Sequence, residues 1–149
     1  KKVIFMDELW KLIGTAGNRL AADYVLEIFK VIRGYGGSAI AATQDISDFF
    51  ALDDGKYGKA IINASRIKFI LQLEEDEAFT VQKHLSLSDE ETMQIIRNNR
   101  GEALLCANRN KIVIDIKASP YIYNAITTKR SDLEKKRKRK MEEREQYDN

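Results

Sequence analysis

Asp7 and Glu8 stand side by side at the end of Lys2-Val3-Ile4-Phe5-Met6, and this pair holds the clearest potential for chemistry in the chain. Four consecutive apolar residues, β-branched at Val3 and Ile4, are too few for a buried helix. They read as a strand covered on both faces, as in a parallel sheet. Open α/β sheets bind ligands at the carboxyl ends of their strands. There an Asp followed by a Glu divides into two tasks: Asp7 holds a hydrated Mg²⁺, and Glu8 orients or deprotonates an attacking water. The plain alternative is a pair of solvated turn carboxylates. A Gly-rich loop ending in Lys-Ser/Thr, which would grip phosphates, occurs nowhere in the 149 residues. The chain thus carries the hydrolytic half of a nucleotide site, in the form of a Walker B strand, without the binding half.

Thr43-Gln44 supplies a second polar strand end. A Gln beside a Walker B strand can hydrogen-bond both a γ-phosphate and the attacking water, and so report nucleotide state; the alternative is a polar cap. Arg33 closes a helix before a Gly-rich turn. It either stabilises the helix carboxyl terminus through the dipole or reaches a neighbouring subunit's phosphates with its planar, permanently charged fork. Arg66 and Arg100 are weaker candidates of the same kind, and Gly101 permits close backbone approach to a ligand. His84 has no Cys or second His nearby, which argues against metal ligation. Cys106 and Trp10 read as core residues.

The elements that position these residues follow from periodicity and punctuation. Lys11–Gly17 reads as a loop or short turn closed by Gly14 and Gly17. Asn18 caps a helix from Arg19 to about Arg33, with Leu20, Tyr24, Val25, Ile28, Phe29 and Ile32 at three- and four-residue steps. Gly34-Tyr35-Gly36-Gly37 stops it. Ser38–Thr43 is a second strand whose small side chains allow helices on both faces. Asp45 and Ser47 cap a short helix over Ile46–Leu52, Asp53–Gly58 forms an exposed loop, and Ala60–Ser65 is a further short helix. Ile67–Leu73 is a third strand. Helices follow over Asp76–Leu85 and Ser88–Asn99, the latter opened by a capping box of Ser88 and Glu91. Glu102–Ala107 and Lys111–Lys117 form an antiparallel hairpin, and Tyr121–Ile126 a last short helix after Pro120, the only proline. The order argues for a layered α/β sheet, parallel at first, with an antiparallel edge at its end.

With 44% hydrophobic residues the chain is long enough for one domain with a core, over residues 1–128. It starts at Lys rather than Met, almost directly at the first strand, so it is expected to be the carboxyl-terminal portion of something longer. Residues 129–149 hold nine basic and six acidic groups and little apolar content, which leaves the body of the chain near neutrality. The tail, with opposite charges at four-residue spacing such as Glu134 with Lys138 and Arg139 with Glu143, can form a solvated helix. Its run Lys135–Lys140 also suits nucleic acid or an anionic membrane surface. A single cysteine excludes an internal disulfide, and no apolar run reaches the length of a membrane span or a signal peptide; the expected placement is cytosolic.

Taken together, Val3–Ile13, Lys30–Gly37, Ala42–Phe49 and Arg100–Leu105 resemble, in order and spacing over residues 1–128, the carboxyl-terminal part of the conjugative-transfer and type IV secretion motor ATPases. These belong to the HerA and FtsK group of RecA-like P-loop proteins. The resemblance implies a three-layer fold, with a mostly parallel sheet between helices and an antiparallel hairpin at its end. It also implies a hexameric ring that couples hydrolysis of ATP with Mg²⁺ to moving DNA or protein through a cell-envelope channel, peripheral to the inner face of the membrane. By motif position Asp7 and Glu8 match the family's Walker B pair, Thr43 and Gln44 its γ-phosphate sensor, Arg33 its inter-subunit finger, and Arg100 and Gly101 a strand-leading motif at the nucleotide. Without the phosphate loop this chain is expected to bind no nucleotide firmly and to be inactive alone. Partners implied are further copies, other channel components and DNA, and an exposed sheet edge is expected to favour self-association. The alternative is a non-catalytic RecA-like module that binds a partner or nucleic acid through that edge and the basic tail.

Overall fold

The computed structural model describes residues 2–14 and 18–147, so the expected closure at Gly17 lies outside the described residues. The chain forms two compact units, Lys1–Asp115 and Ile116–Asn149.

In the first unit, β1 (Lys2–Met6) pairs in parallel with β2 (Gly37–Ala41), Lys2 opposite Gly37 and Met6 opposite Ala41. The connection runs through a one-turn helix α1 (Trp10–Ile13) and the long helix α2 (Arg19–Val31). The Asn18 side chain accepts from the Ala21 N–H at 2.8 Å and so satisfies an amide left free at the helix start. A 3-10 turn over Ile32–Tyr35 then ends at Gly36, whose φ of 67° lies in the left-handed region that glycine occupies without cost. After β2 come α3 (Ile46–Phe49), a 3-10 turn and α4 (Lys56–Ala64). Leu9, Ile13, Val25, Leu26, Phe49 and Ile61 join in a core between α1–α4 and one face of the parallel pair. Full burial stabilises by about 1.5–3 kcal/mol per large apolar side chain, which offsets the ordering of the one-turn helices.

The second sheet contains β3 (Ile67–Ile70), β4 (Glu102–Ala107) and β5 (Asn110–Asp115), antiparallel throughout, with α5 (Glu75–Leu85) and α6 (Asp89–Arg97) inserted between β3 and β4. The predicted capping box is present: Ser88 Oγ accepts from the Glu91 N–H at 3.2 Å and Glu91 accepts from the Ser88 N–H at 2.8 Å. Ile70, Val81, Ile95, Leu104 and Cys106 form a core of their own, and Ile46 at the start of α3 packs against it. Burial raises the Cys106 thiol above its ordinary pKa, as befits a core residue.

Two expectations fail. The strands do not form one mostly parallel sheet: β2 and β3 are unpaired with each other, leaving a parallel pair and an antiparallel triple. Nor are the strands covered on both faces. Val3 and Phe5 remain 62% and 63% exposed, and Ile67 and Phe69 behave alike at 63% and 58%, because among the described residues the helices lie against one face of each sheet. Smaller differences have local causes. Of the loop or short turn expected after Trp10, Lys11–Ile13 takes the second form, one helical turn fixed by the buried Ile13. Tyr57 and Gly58 lie buried within α4 instead of in an exposed loop, because the Tyr57 hydroxyl donates to Asp23 Oδ1 at 2.8 Å and binds α4 to α2.

The second unit contains α7 (Pro120–Ile126), capped by Ser119, and α8 (Arg130–Tyr147). The Tyr123 hydroxyl donates to Asp132 at 3.0 Å, and the Lys136 ammonium donates to the Asn124 carbonyl. Glu134 pairs with Arg130 at 3.2 Å rather than with Lys138, and the expected pair of Arg139 with Glu143 lies outside the described side chains. Among the described residues no helix is long and apolar enough to cross a membrane.

A Cβ on Gly58 would lie 2.6 Å from the Phe49 carbonyl oxygen and 2.9 and 3.0 Å from the Phe50 and Phe49 rings. Gly58→Ala therefore destabilises the first unit by about 1–3 kcal/mol, read from the urea midpoint. His84 is stacked on Phe50 at a centroid distance of 3.9 Å, and burial, then Lys59 and Lys83, hold its pKa below the ordinary 6.5. The unfolded chain then binds the proton more tightly, so this contribution to stability is present above the ordinary value and is lost as pH falls through it. Chemical denaturation between pH 7.5 and pH 5 is expected to show this decline, with a shallower slope in His84→Gln.

Candidate functional site

The ladder between β1 and β2 continues past both strands. The Ala42 N–H donates to the Met6 carbonyl at 2.9 Å, and the Leu9 N–H donates to the Ala42 carbonyl at 2.9 Å. The segments 7–9 and 42–44 are thereby held side by side at the carboxyl end of the pair. Between them Glu8 adopts φ 52°, a left-handed conformation that costs a non-glycine residue about 1–2 kcal/mol. The following residue Leu9 is 1% exposed and seats the turn into α1.

The Glu8 carboxylate has a donor on each oxygen. Gln44 Nε2 donates to Oε1 at 2.7 Å, and the Trp10 indole Nε1 donates to Oε2 at 2.6 Å. Asp7 is exposed, and its Oδ1 accepts from the Glu8 N–H at 3.0 Å. The predicted pair of strand ends is thus joined directly by Glu8 and Gln44. Trp10 is the member that the sequence reading assigned to the core. The signal was present: an indole N–H that is partly buried requires an acceptor, and a carboxylate two residues away offers one.

The remaining candidates stand apart. Thr43 Oγ1 faces the Asp45 carbonyl at 3.5 Å, the outer limit of a hydrogen bond, so its hydroxyl is turned into the start of α3. Arg33 is exposed in the 3-10 turn before β2, whereas Gln44 follows β2. At about 3.3 Å per strand residue, β2 keeps them on the order of 15 Å apart or more. Among the described residues no hydrogen bond or ion pair links Arg33 to Glu8 or Gln44. Arg100 is exposed and Gly101 has φ 97°, in a turn closed by the Asn99 N–H donating to Glu102 Oε2 at 2.7 Å; no described hydrogen bond links this turn to Glu8 or Gln44. Among the described residues no group of three or more His, Cys, Asp or Glu could hold a metal by itself.

This arrangement can fix a carboxylate so that it accepts a proton from water, beside an amide able to bond both water and a phosphate oxygen. A family model described as the TraG P-loop domain matches residues 1–146, and so includes most of the tail that the sequence resemblance left out. Among solved structures, VirB4 of Thermoanaerobacter pseudethanolicus is similar at 30% identity and a TM-score of 0.74, over 81% of this chain and 33% of that chain. The chain thus spans a third of the VirB4 protein it matches. The genome packaging NTPase B204 from Sulfolobus turreted icosahedral virus 2, solved in complex with ATP-gammaS, is similar in fold at 16% identity and a TM-score of 0.55, over 78% of this chain and 52% of that one. No curated protein matches.

The exposure of Arg33 distinguishes its two readings. If it does not support the helix end, Arg33→Ala leaves the folding free energy within about 0.5 kcal/mol of wild type. A loss of 1 kcal/mol or more, at the upper end of dipole effects at about 0.3–1 kcal/mol, would give the residue a structural role instead.

Proposed function

The chain belongs to the TraG P-loop domain family, and from that premise we propose that it is the hydrolytic half of a conjugation or type IV secretion motor ATPase, the phosphate-gripping half lying outside these 149 residues. The observation that carries this reading is the 2.7 Å bond from Gln44 to Glu8, which joins the ends of two adjacent parallel strands where such sheets bind ligands.

In this reading Glu8 takes a proton from water. The resulting hydroxide adds to the γ-phosphorus of ATP, ADP leaves with the electron pair of the broken P–O bond, and the proton passes to solvent. Gln44 bonds the γ-phosphate and aligns the water. Asp7 fits a Mg²⁺ held through water, since that ion is bound through one or two carboxylates together with substrate phosphates and does not need a full protein cage. When bound, Mg²⁺ neutralises phosphate charge. Arg33, set apart from Gln44 by the length of β2, reaches the phosphates of a neighbouring copy in a hexameric ring. Arg100 and Gly101 approach the nucleotide from their turn, and Thr43 supports the sensor loop from its backbone.

The open faces and edges support the rest. Val3 and Phe5 on one sheet, and Ile67 and Phe69 on the other, are exposed apolar residues of the kind that marks contact regions. The unpaired edges of β2 and β3 suit a further strand leading to a phosphate loop, which would complete a RecA-like sheet. Other channel components and DNA are the partners proposed for the whole motor, at the inner face of the membrane. The missing phosphate loop favours a second reading, a non-catalytic module that binds a partner through the same open edge.

The two readings separate on ATP turnover by the full-length protein encoded with this chain. The motor reading expects Mg²⁺-dependent turnover that falls by about 100-fold or more in Glu8→Gln, with ATP binding retained, and negligible turnover by the 149 residues alone. Turnover unaffected by Glu8→Gln would contradict it.

A further inference from the structure

The two donors on Glu8 differ in how firmly they are held. Trp10 lies on α1, anchored by Leu9 at 1% and Ile13 at 0% exposure, and its ring packs against the first core. The Lys11 ammonium lies 5.4 Å from the ring centroid on the other side. A bicyclic side chain with two torsions, fixed in this way, has little freedom to withdraw. Gln44 is exposed, has three torsions, and sits in the loop between β2 and α3.

Each Glu8 oxygen has two lone pairs, one of them taken by a donor at 2.6 or 2.7 Å, so the oxygen whose donor gives way is the one freed fully for a water proton. We infer that Trp10 is a positioning residue: its indole N–H anchors Glu8 Oε2, so that Gln44 is the donor released and Oε1 is the oxygen presented to the attacking water. This rests on the reading of Glu8 as the water-activating carboxylate. Gln44 then has two states: bonded to Oε1 when no γ-phosphate is present, and turned to phosphate and water when one is. The anchor also accounts for the left-handed φ of Glu8, which directs the carboxylate into reach of both partners instead of into solvent.

Two measurements test this. In the chain itself Trp10 is the only tryptophan, so its indole N–H gives one assignable resonance. The hydrogen bond places that resonance downfield; Glu8→Ala moves it upfield, and Gln44→Ala leaves it in place. A resonance unmoved by Glu8→Ala, or displaced equally by Gln44→Ala, overturns the inference. In the full-length protein, Trp10→Phe lowers kcat by about 10- to 100-fold with KM for ATP unchanged, and adds no loss to Glu8→Ala. An unchanged kcat, or losses that multiply, overturns it. Should Trp10→Phe fail to fold, the sulfur isostere 3-benzothienylalanine at position 10 removes the N–H and keeps the ring. If Glu8→Ala itself leaves turnover intact, the hydrolytic reading of the site fails, and the resonance still decides whether Trp10 holds Glu8.

Discussion

The Glu8 carboxylate is the point through which two strands, a loop and a helix are held in register. Its bonds to Gln44 and Trp10 cross the gap between the ends of β1 and β2 and secure the first turn of α1. Charge-assisted hydrogen bonds are roughly twice as strong as neutral ones, and both lengths here are short. The backbone bonds Ala42 to Met6 and Leu9 to Ala42 fix the register that makes this possible. A slip of one residue would turn Gln44 to the other face of the sheet.

The core is arranged to hold this turn. Leu9 and Ile13 are buried beneath it, α2 and α4 close over them, and the Tyr57 to Asp23 bond ties those two helices together. The opposite face of the sheet carries exposed aromatic and aliphatic side chains. The site is thus held by packing on one side and open on the other.

What could be read from the sequence was what local signals encode. The Asn18 cap, the Ser88–Glu91 box and the hairpin around Asn108 each need only a few adjacent residues, and all three stand as expected. The apolar run that ends in Asp7-Glu8 does form a strand, though one covered on a single face. What could not be read depended on distant partners. Gly58 looked like a loop residue because its packing neighbour, the Phe49 carbonyl, becomes adjacent only after α3 and α4 fold together. Trp10 does pack against the core as expected; that its indole needs an acceptor was legible, but the geometry of its bond to Glu8 depends on the left-handed φ of Glu8. The one-sided burial of the strands was hidden for a different reason: apolar composition shows that a face is to be covered, but not by what.

The central claim is that Glu8 and Gln44 act as one unit in hydrolysis. A double-mutant cycle of ATP turnover over these two residues, in the full-length protein, tests it most directly. The account predicts that Gln44→Ala slows turnover in the wild-type background and adds little to the loss already caused by Glu8→Gln, because each side chain works on the same water. Losses that multiply, as for two independent sites, would contradict it.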